Sequence, residues 1–415
     1  MREMINSGQE WLGNIPANWD IAKIDSLYKL RNTKVSDYEY EPLSVTMSGV
    51  VPQLENAAKT NAHDDRKLVL RGDFAINSRS DRRGSCGISE YDGSVSLINT
   101  VLKPKGDMVP RYFNWLFHTK SFADEFYRWG HGIVDDLWTT NWQDMRKIVV
   151  SVPSMPEQKR IASFLDSKCS EIDYITTDIR KEIETLQEYR KSMITEAITK
   201  GLDPNVEMKD SGIVWIGMIP KHWEVNKIKY NLHREDLKNP GEMPVLSLYR
   251  DYGVIPKDSR DDNHNVTSED ISKYKYVKKG SFVINKMKAW QGSVAVSEYQ
   301  GVVSPAYYVY KFDSSTINKD YFHYLMRSCY KDEFRRLSGG IREGQWDLAS
   351  EDLDNTLIII PPLNEQKQIV LYIDSKCYEI DSIIEDKQNQ LATLAEYRKS
   401  LIYEYVTGKK EVPAV

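Results

Sequence analysis

The segment EQKRIASFLDSKCSEID at residues 157–173 returns as EQKQIVLYIDSKCYEID at residues 365–381. Nearer the amino terminus, WLGNIPANW at 11–19 returns as WIGMIPKHW at 215–223. The copies of the first segment are offset by 208 residues, so the repeating unit is half of the 415-residue chain. Solenoid and propeller repeats have periods of only about 20–50 residues. The pattern therefore predicts a tandem duplication of a whole domain-sized unit.

Each repeat has a globular part, which begins at the Trp-rich segment, and a helical part. Short alternating apolar runs bounded by turn residues, such as FAINSR at 74–79 and VSLINTVL at 95–102, indicate strands. In the helical part, apolar residues recur at steps of seven, which predicts a coiled-coil seam on a helix of roughly 40 residues. The predicted seam residues are Leu165, Ile172, Ile179, Leu186 and Met193, with Ile175 and Tyr189 between them, and then Ile373, Ile380, Leu394 and Leu401. We expect a mixed α/β (α+β) fold: two pseudo-symmetric globular domains, each followed by a long helix, with the helices pairing as an antiparallel coiled coil.

These patterns predict four segments. They are a first globular domain at 1–153, a first long helix at 154–200, a linker with the second globular domain at 201–361, and a second long helix at 362–409. Lys387 stands where the first seam has Ile179. It is expected either to fix the register of pairing or to extend its ammonium group to solvent at the edge of the seam.

The composition, 40% apolar and 11% aromatic, is that of a globular protein. No apolar run approaches the roughly 18 residues of a membrane span, and the amino terminus lacks a signal-peptide pattern, so the cytoplasm is the expected location. The four cysteines form no CxxC pair and the seven histidines are dispersed, which does not indicate a metal site. The net charge of −5 argues against a tight non-specific DNA binder, although the distribution of basic residues decides DNA binding.

Motifs of a self-contained enzyme are missing from the sequence. It has no P-loop, no GxGxxG and no N/D-P-P-Y/F motif; Asn239-Pro240-Gly241 departs from the last of these at its third position. Among the Glu-x-Lys triples, those that begin at Glu157 and Glu365 open the long helices and the one that begins at Glu207 lies in the linker. We therefore expect a non-catalytic chain that binds no cofactor and no metal.

The paired W-x-G-x-I-P-x-x-W segments and the paired Glu-Gln helix starts resemble the specificity subunit of type I restriction–modification enzymes over nearly the whole chain. The resemblance implies two target-recognition domains that read the halves of a bipartite double-stranded DNA target. It also implies helices that set the spacer and dock two modification subunits, which carry an adenine-N6 methyltransferase. Restriction subunits with a motor nuclease are further partners, so S-adenosylmethionine, ATP and Mg are expected on partner subunits only. Two departures are Asn364 in place of Pro156, and Thr-Gly-Lys at 407–409 in place of Thr-Lys-Gly at 199–201.

Segments that differ between the copies are the candidates for reading different bases. After FAIN the chain continues SRSDRRGS (78–85), and after FVIN it continues KMKAWQGS (286–293). Arginine and lysine suit guanine edges and glutamine suits adenine, while other basic side chains contact phosphate. A second divergent loop precedes the last strand of each domain, and Thr46-Met47-Ser48 against Tyr249-Arg250-Asp251 is a third pair. The candidate DNA-binding residues are Thr46, Ser48, Arg79, Arg82, Arg83, His131 and Thr139 in the first repeat, and Tyr249, Arg250, Lys286, Lys288, Trp290, Gln291, Arg342 and Gln345 in the second. Each of them, taken singly, fits an ordinary solvated loop side chain equally well.

EYRKS occurs unchanged at 188–192 and 396–400, where its basic residues are expected to point away from the seam. Identical duplication favours a docking surface for a partner subunit over a merely charged helix face. The predicted docking residues are Tyr189, Arg190, Lys191, Tyr397, Arg398 and Lys399. The repeated tryptophans, Trp11, Trp19, Trp215 and Trp223, are interpreted as structural because both copies keep them.

An alternative function is a structural adaptor that bridges two proteins without touching DNA. It accounts for the duplication and the helices, but not for divergent loops that stay rich in base-reading groups. On the DNA-reading hypothesis, helix length sets the distance between half-sites, so four residues inserted after Lys200 are expected to lengthen the spacer by about one or two base pairs.

Overall fold

The structure is a computed structural model of the chain, and it describes residues 2–53, 63–79, 82–133, 138–250, 252–260, 267–268, 270–340 and 346–413. The chain divides into two compact units. Unit 1 comprises Met1–Arg180 and Gln388–Val415, and unit 2 comprises Lys181–Lys387. Each division falls inside one of the two long helices, so each unit contains parts of both.

In its described residues, unit 1 has thirteen short strands. They are β1 Met4–Asn6, β2 Asn14–Pro16, β3 Asp20–Lys23, β4 Tyr28–Arg31, β5 Lys34–Val35, β6 Leu43–Thr46, β7 Gly49–Pro52, β8 Arg66–Val69, β9 Phe74–Asn77, β10 Cys86–Ile88, β11 Gly93–Ser96, β12 Asn99–Pro104 and β13 Val149–Val152. The helices that begin in this unit are α1 Ile24–Leu27, α2 Pro110–Phe117, α3 Lys120–Arg128, α4 Trp142–Met145 and the long α5 Met155–Lys200.

Unit 2 repeats this order of elements. Its described strands are β14 Met208–Asp210, β15 Met218–Pro220, β16 Glu224–Lys227, β17 Leu232–Arg234, β18 Leu246–Tyr249, β19 Gly253–Pro256, β20 Lys275–Val277, β21 Phe282–Asn285, β22 Val294–Val296, β23 Gly301–Val303, β24 Tyr307–Phe312, β25 Ser338–Gly339, β26 Asp347–Leu348 and β27 Leu357–Ile360. The helices that begin here are α6 Lys319–Cys329, α7 Lys331–Leu337, α8 Ser350–Asn355 and the long α9 Leu363–Val406, with 3-10 turns at Ile228–Tyr230, Lys257–Ser259 and Ala289–Gln291.

The central sheets of the two units share one topology. The strand order is β10-β9-β12-β4 in unit 1 and β22-β21-β24-β17 in unit 2, with all neighbours antiparallel. The hairpin β6–β7 corresponds to β18–β19, and the pair β3–β13 corresponds to β16–β27. The mixed α/β fold in two related copies that the sequence predicts is therefore confirmed.

Each central sheet lies between two apolar clusters, because side chains alternate between the faces of a strand. In β9, Phe74 and Ile76 belong to the cluster that packs on the helices, whereas Ala75 belongs to a smaller cluster with Val45 and Val95. The corresponding strand β21 divides in the same way. Burial on both faces explains why FAIN and FVIN contain four consecutive buried residues.

The helix-side cluster of each unit contains the end of the other repeat's long helix. Leu401, Ile402 and Val406 of α9 lie in the core of unit 1, where Tyr112 donates a hydrogen bond to the carbonyl oxygen of Val406 (2.8 Å). The carboxyl end of α5 is buried in unit 2 in the same manner, and Tyr321 donates to the carbonyl oxygen of Ile198 (3.2 Å). Neither unit therefore consists of one sequence repeat alone.

The parts of α5 and α9 within each unit run antiparallel. In unit 1 the Phe164 and Tyr405 rings lie 4.5 Å apart, and Asp173 pairs with Arg398. In unit 2, Arg190 pairs with Asp381, and Lys387 forms an ion pair with Glu182 on the facing helix. This ion pair lies at the exposed edge of the helix pair, so it is compatible with both roles expected for Lys387.

The predicted seam is confirmed at its seven-residue steps, but its second position was predicted wrongly. Leu165, Ile172, Ile179, Ile373 and Ile380 are buried, whereas Ile175 and Tyr189 are 45% and 57% exposed. The second seam position lies four residues after the first, where the chain has Cys169, Thr176, Ile183 and Arg190. Arg190 and Arg398 thus lie at the seam and not away from it, which corrects the expectation for EYRKS.

Candidate functional site

The strands β9 and β21 each end in a buried asparagine that shapes the loop after it. The Oδ1 atom of Asn77 accepts a hydrogen bond from the backbone N–H of Arg79 (3.0 Å), and that of Asn285 accepts one from Met287 (3.1 Å). Each asparagine also donates its own backbone N–H across the loop, to Ser85 (2.9 Å) and to Ser293 (3.1 Å). Both divergent loops therefore start from the same hydrogen-bonded frame.

The same frame joins this loop to the second divergent loop. The backbone N–H of Thr140 donates to the carbonyl oxygen of Ser78 (2.9 Å), and that of Leu348 donates to the carbonyl oxygen of Lys286 (3.0 Å). The two loops, which are far apart in the sequence, lie side by side in both units.

In unit 1 this arrangement brings Arg79, His131 and Thr139 together. His131 and Thr139 exchange two backbone hydrogen bonds (2.9 and 3.0 Å), and Thr139 forms a β-bridge with Arg79. The side chains of Arg79 and His131 are exposed, and Asp144 lies 3.5 Å from Nε2 of His131. An exposed guanidinium beside an imidazole and a hydroxyl can contact base edges and phosphates.

Arg82 and Arg83 lie on the same loop and are both exposed. The Arg83 guanidinium stacks over the Tyr127 ring at 3.5 Å from its centroid, and it lies 3.6 Å from the carboxylate of Asp124. The Trp138 ring lies 5.5 Å from the Tyr127 ring and donates its indole N–H to the Tyr127 carbonyl oxygen. The aromatic rings thus hold one of the two adjacent arginines in place.

In unit 2 the corresponding loops carry different chemistry. Lys286 forms an ion pair with Asp347 (2.7 Å), and this hydrogen bond raises the pKa of Lys286. The Trp290 and Trp346 rings meet edge to face at 5.6 Å. Lys288 and Gln291 lie on the same loop as Trp290, whereas Arg342 and Gln345 fall outside the described residues.

The third predicted pair of segments lies elsewhere, at the turns of the β6–β7 and β18–β19 hairpins. Thr46 and Ser48 form a local turn, in which the Thr46 hydroxyl donates to the Gly49 carbonyl oxygen and accepts the N–H of Ser48. The turn that contains Tyr249 and Arg250 lies against α6, because Arg327 donates to the Arg250 carbonyl oxygen (2.5 Å). The structure therefore brings the first two predicted loops together and places the turn of the β18–β19 hairpin against α6.

The predicted docking residues divide into two classes. Arg190 and Arg398 pair with aspartates on the facing helix, so their duplication has a structural cause. Tyr189 and Tyr397 are 57% and 54% exposed, and Lys191 and Lys399 are also exposed.

Each exposed tyrosine belongs to a surface made by both helices. In unit 2, Lys376 donates a hydrogen bond to Glu379 (2.7 Å), and this bond raises the pKa of Lys376. Tyr189 on the facing helix raises the same pKa further. Ile383 is exposed on the same helix. In unit 1 the equivalent residues are Lys168, Glu171, Ile175 and Tyr397, with the same hydrogen bond and the same contribution from the tyrosine. We call the two sets the helix-pair surfaces.

The Trp-rich segments and the Glu-Gln helix starts form one buried connection. The indole N–H of Trp19 donates to Glu157, and that of Trp223 donates to Glu365, both at 3.0 Å. The adjacent Gln158 and Gln366 are buried and fix the loop before α2 or α6 through the backbone N–H of Val109 or Asn318. These residues position each long helix on its domain, which confirms the structural interpretation of Trp19 and Trp223.

The comparisons with known proteins agree with this architecture. Residues 220–393 match the family model of the type I restriction modification DNA specificity domain. Two Methanocaldococcus jannaschii proteins are similar along the sequence. The type I restriction enzyme MjaVIII specificity subunit is 27% identical over 64% of this chain and 63% of its own length. The MjaIX specificity subunit is 22% identical over 97% of this chain and 95% of its own length. The family model and these relatives confirm the resemblance to type I restriction–modification specificity subunits that the sequence predicts.

Two solved structures share the fold of this chain. One is a chain from a study of complex assembly and conformational transition of the type I R-M system, which matches with a TM-score of 0.69 and 12% identity. The match covers 95% of the present chain and 99% of that chain. The HsdS subunit from Thermoanaerobacter tengcongensis covers 95%, with a TM-score of 0.54 and 14% identity, over 98% of its own length.

Sequence reasoning did not single out several residues at the converging loops. Trp346 and Asp347 lie within the second divergent loop and contact Trp290 and Lys286 of the first, whereas Trp138 of that loop packs against Tyr127 of α3. Their aromatic and acidic character was visible, but no local sequence pattern encodes these contacts. Among the described residues, no three His, Cys, Asp or Glu side chains are grouped so as to hold a metal ion. In the same part of the chain, no helix is both long and apolar enough to cross a membrane.

Proposed function

We propose that the chain is a specificity subunit that reads a bipartite double-stranded DNA target, one half-site per unit. The observation that carries the proposal is the pair of converging loops in each unit. Their hydrogen-bonded frame is the same twice, while the side chains on it differ: Arg79, Arg82, Arg83 and His131 in one unit, and Lys286, Lys288, Trp290 and Gln291 in the other. Equal frames with unequal side chains suit two readers of two different sequences.

In this proposal the subunit is non-catalytic, and its partners supply the chemistry. The helix-pair surfaces are equal in the two units, which suits two copies of one partner, the modification subunit. Restriction subunits complete the complex, and S-adenosylmethionine, ATP and Mg act on the partner subunits.

The proposal is tested by sequencing the methylated bases in cells that express the chain with its modification subunit. We expect adenine methylation at one bipartite motif, and none with either protein alone. Methylation by this chain alone, or methylation without a motif, would contradict the proposal.

A unit exchange then tests the assignment of one half-site to each unit. Because α5 and α9 both contribute to the core of unit 2, the exchanged segment is 181–387 and not the globular part alone. Replacing it with the equivalent segment of a relative should change one half-site and leave the other intact. A change in both half-sites would show that the units do not read independently.

A further inference from the structure

Unit 2 contains an open cavity of about 370 Å³ beside its candidate reading residues. Lys288, Trp290 and Gln291 of the loop after β21 form one side, and Lys257, Tyr274 and Tyr307 are among the residues of the other. The volume falls in the range of roughly 300–1,000 Å³ that is usual for pockets that bind small aromatic ligands. We call it the Trp290 cavity.

The residues around the Trp290 cavity suit a flat heterocycle better than an alkyl group. Three aromatic side chains supply surfaces on which a ring can stack, and such stacking is worth about 1–3 kcal/mol for a nucleobase. Gln291 and the serines at 247 and 304 supply hydrogen-bonding groups for a base edge. Lys257 and Lys288 add positive charge at the same place, which suits the phosphate that accompanies each base.

Unit 1 has different residues at the equivalent positions. Asn99 occupies the place of Tyr307, since both open the strand that pairs with the asparagine of FAIN or FVIN. Arg66 occupies the place of Tyr274; it is buried, and its guanidinium donates to the side chain and the carbonyl oxygen of Ser94. The aromatic lining is therefore a property of unit 2 and not of the shared fold.

We infer that the Trp290 cavity binds one nucleobase of the unit 2 half-site outside the base stack; the inference rests on the proposed DNA-reading function. A base in the duplex stack exposes only its edges, whereas an aromatic-lined cavity of this volume can take a whole ring. Lys288, Trp290 and Gln291 belong both to the cavity and to the candidate reading surface. A base that leaves the duplex at this surface can therefore enter the cavity while the protein stays bound at the same place on the DNA.

The test is a mismatch scan of the DNA target, measured as binding of the complex of this chain with its modification subunits, without S-adenosylmethionine. A mismatch lowers the cost of taking a base out of the duplex, so it strengthens binding where the base is extruded and weakens binding where the base pair is read. We expect mismatches at one position of the unit 2 half-site to raise the affinity at least threefold. Trp290→Ala and, separately, Gln291→Ala should remove this gain.

The two variants, the unit 1 half-site and thermal unfolding distinguish the possible causes of a gain in affinity. A gain that persists in both variants reports extrusion by the modification subunit and contradicts the inference, as does the absence of any gain in the unit 2 half-site. The unit 1 half-site should show no gain that depends on Trp290, and thermal unfolding of the variants should match that of the original chain. If the complex with the unaltered chain shows no sequence-specific DNA binding at all, the proposed function itself is overturned.

Discussion

Asn77 and Asn285 are the single residues on which the two reading loops depend most directly. Each is only 8% exposed and accepts the backbone N–H two residues later, within a loop whose other side chains differ. Removing the acceptor from a buried hydrogen bond costs about 1–3 kcal/mol. In Asn285→Ala we therefore expect affinity for targets with the unit 2 half-site to fall about tenfold, with relaxed preference at that half-site.

The duplication supplies the control for this prediction. Asn77→Ala should relax the other half-site and leave the unit 2 half-site as specific as before. The measurement is competition binding against duplexes altered in one half-site at a time. Equal losses at both half-sites in either variant would indicate a general loss of folding in place of a local loss of loop position.

The hydrogen bond from Trp223 to Glu365 is expected to stabilise the folded protein. Glu365→Ala leaves the indole N–H of a fully buried tryptophan without its acceptor, which we expect to lower the free energy of unfolding by about 1–3 kcal/mol. Glu365→Gln keeps an acceptor oxygen and should cost less. The matched control is Glu379→Ala on the same helix, where the exposed pair with Lys376 contributes little. Urea denaturation measures all three, and equal effects of Glu365→Ala and Glu379→Ala would show that the buried bond does not stabilise the unit.

Single residues also show where sequence reasoning stopped. The divergent loops could be found by comparing the copies, because that comparison needs only sequence. The pairing of Lys286 with Asp347, or of Arg83 with Tyr127, could not, because each pair joins residues from separate segments of the chain. The hairpin turns around Thr46 and Arg250 diverge as well, yet the turn at Arg250 lies against α6, so divergence alone does not place a segment beside the other two loops.

Among the elements, the two long helices were the easiest to predict, but one of the two positions of their seam was predicted wrongly. Steps of seven located the first seam position because apolar residues occupy it almost without exception. The second position holds the polar Thr176 and Arg190 beside Cys169 and Ile183, so it shows no regular apolar pattern, and the apolar Ile175 at the neighbouring step of three suggested the wrong face. An antiparallel partner stabilises these residues by pairing Arg190 with Asp381, a contact that no one-helix pattern contains.

The helix-pair surfaces predict how many partners bind. Tyr189→Ala combined with Lys376→Glu changes the surface of unit 2 and leaves Tyr397 and Lys168 of unit 1 unchanged. We expect the complex to lose one of its two modification subunits, because each surface is proposed to hold one copy. Native mass spectrometry of the purified complex gives the stoichiometry.

The control for this prediction is Leu371→Ser. Leu371 is exposed on α9 but corresponds to Ser163 in the first repeat, so it cannot belong to a surface that is equal in both units. It should leave two subunits bound. Two subunits bound to the Tyr189→Ala, Lys376→Glu variant would place the docking surface elsewhere.

At the scale of the whole molecule, the duplication and the order of its parts were predictable, because repetition is visible in the sequence. The composition of each unit was not. The last turns of α5 complete the core of unit 2, and the last turns of α9 complete the core of unit 1, since the apolar faces of Ile198 and Val406 are buried beside Tyr321 and Tyr112. Such exchange depends on contacts across some 120 to 290 residues, which no local pattern encodes.

This exchange changes the place at which the spacing between half-sites can be altered. The expectation from sequence was an insertion after Lys200. Ile198 and Gly201 lie in unit 2, beside Tyr321 and Trp223, so four residues inserted there disturb that core without lengthening either connection between the units. We expect such a variant to be destabilised and, where it still binds, to keep the original spacer.

A longer spacer requires an insertion in both helices where they pass from one unit to the other. Those places are Arg180–Lys181 in α5 and Lys387–Gln388 in α9. Seven residues in each keep the seam in register and lengthen each helix by about 10 Å, which corresponds to about three base pairs of DNA. If helix length sets the spacing, sequencing of methylated bases should show the same two half-sites with a spacer longer by about three base pairs. An insertion in one helix alone should lose activity, because the facing helix then has no matching partner. A double insertion that stays active with the original spacer would show that something other than the helices sets the distance.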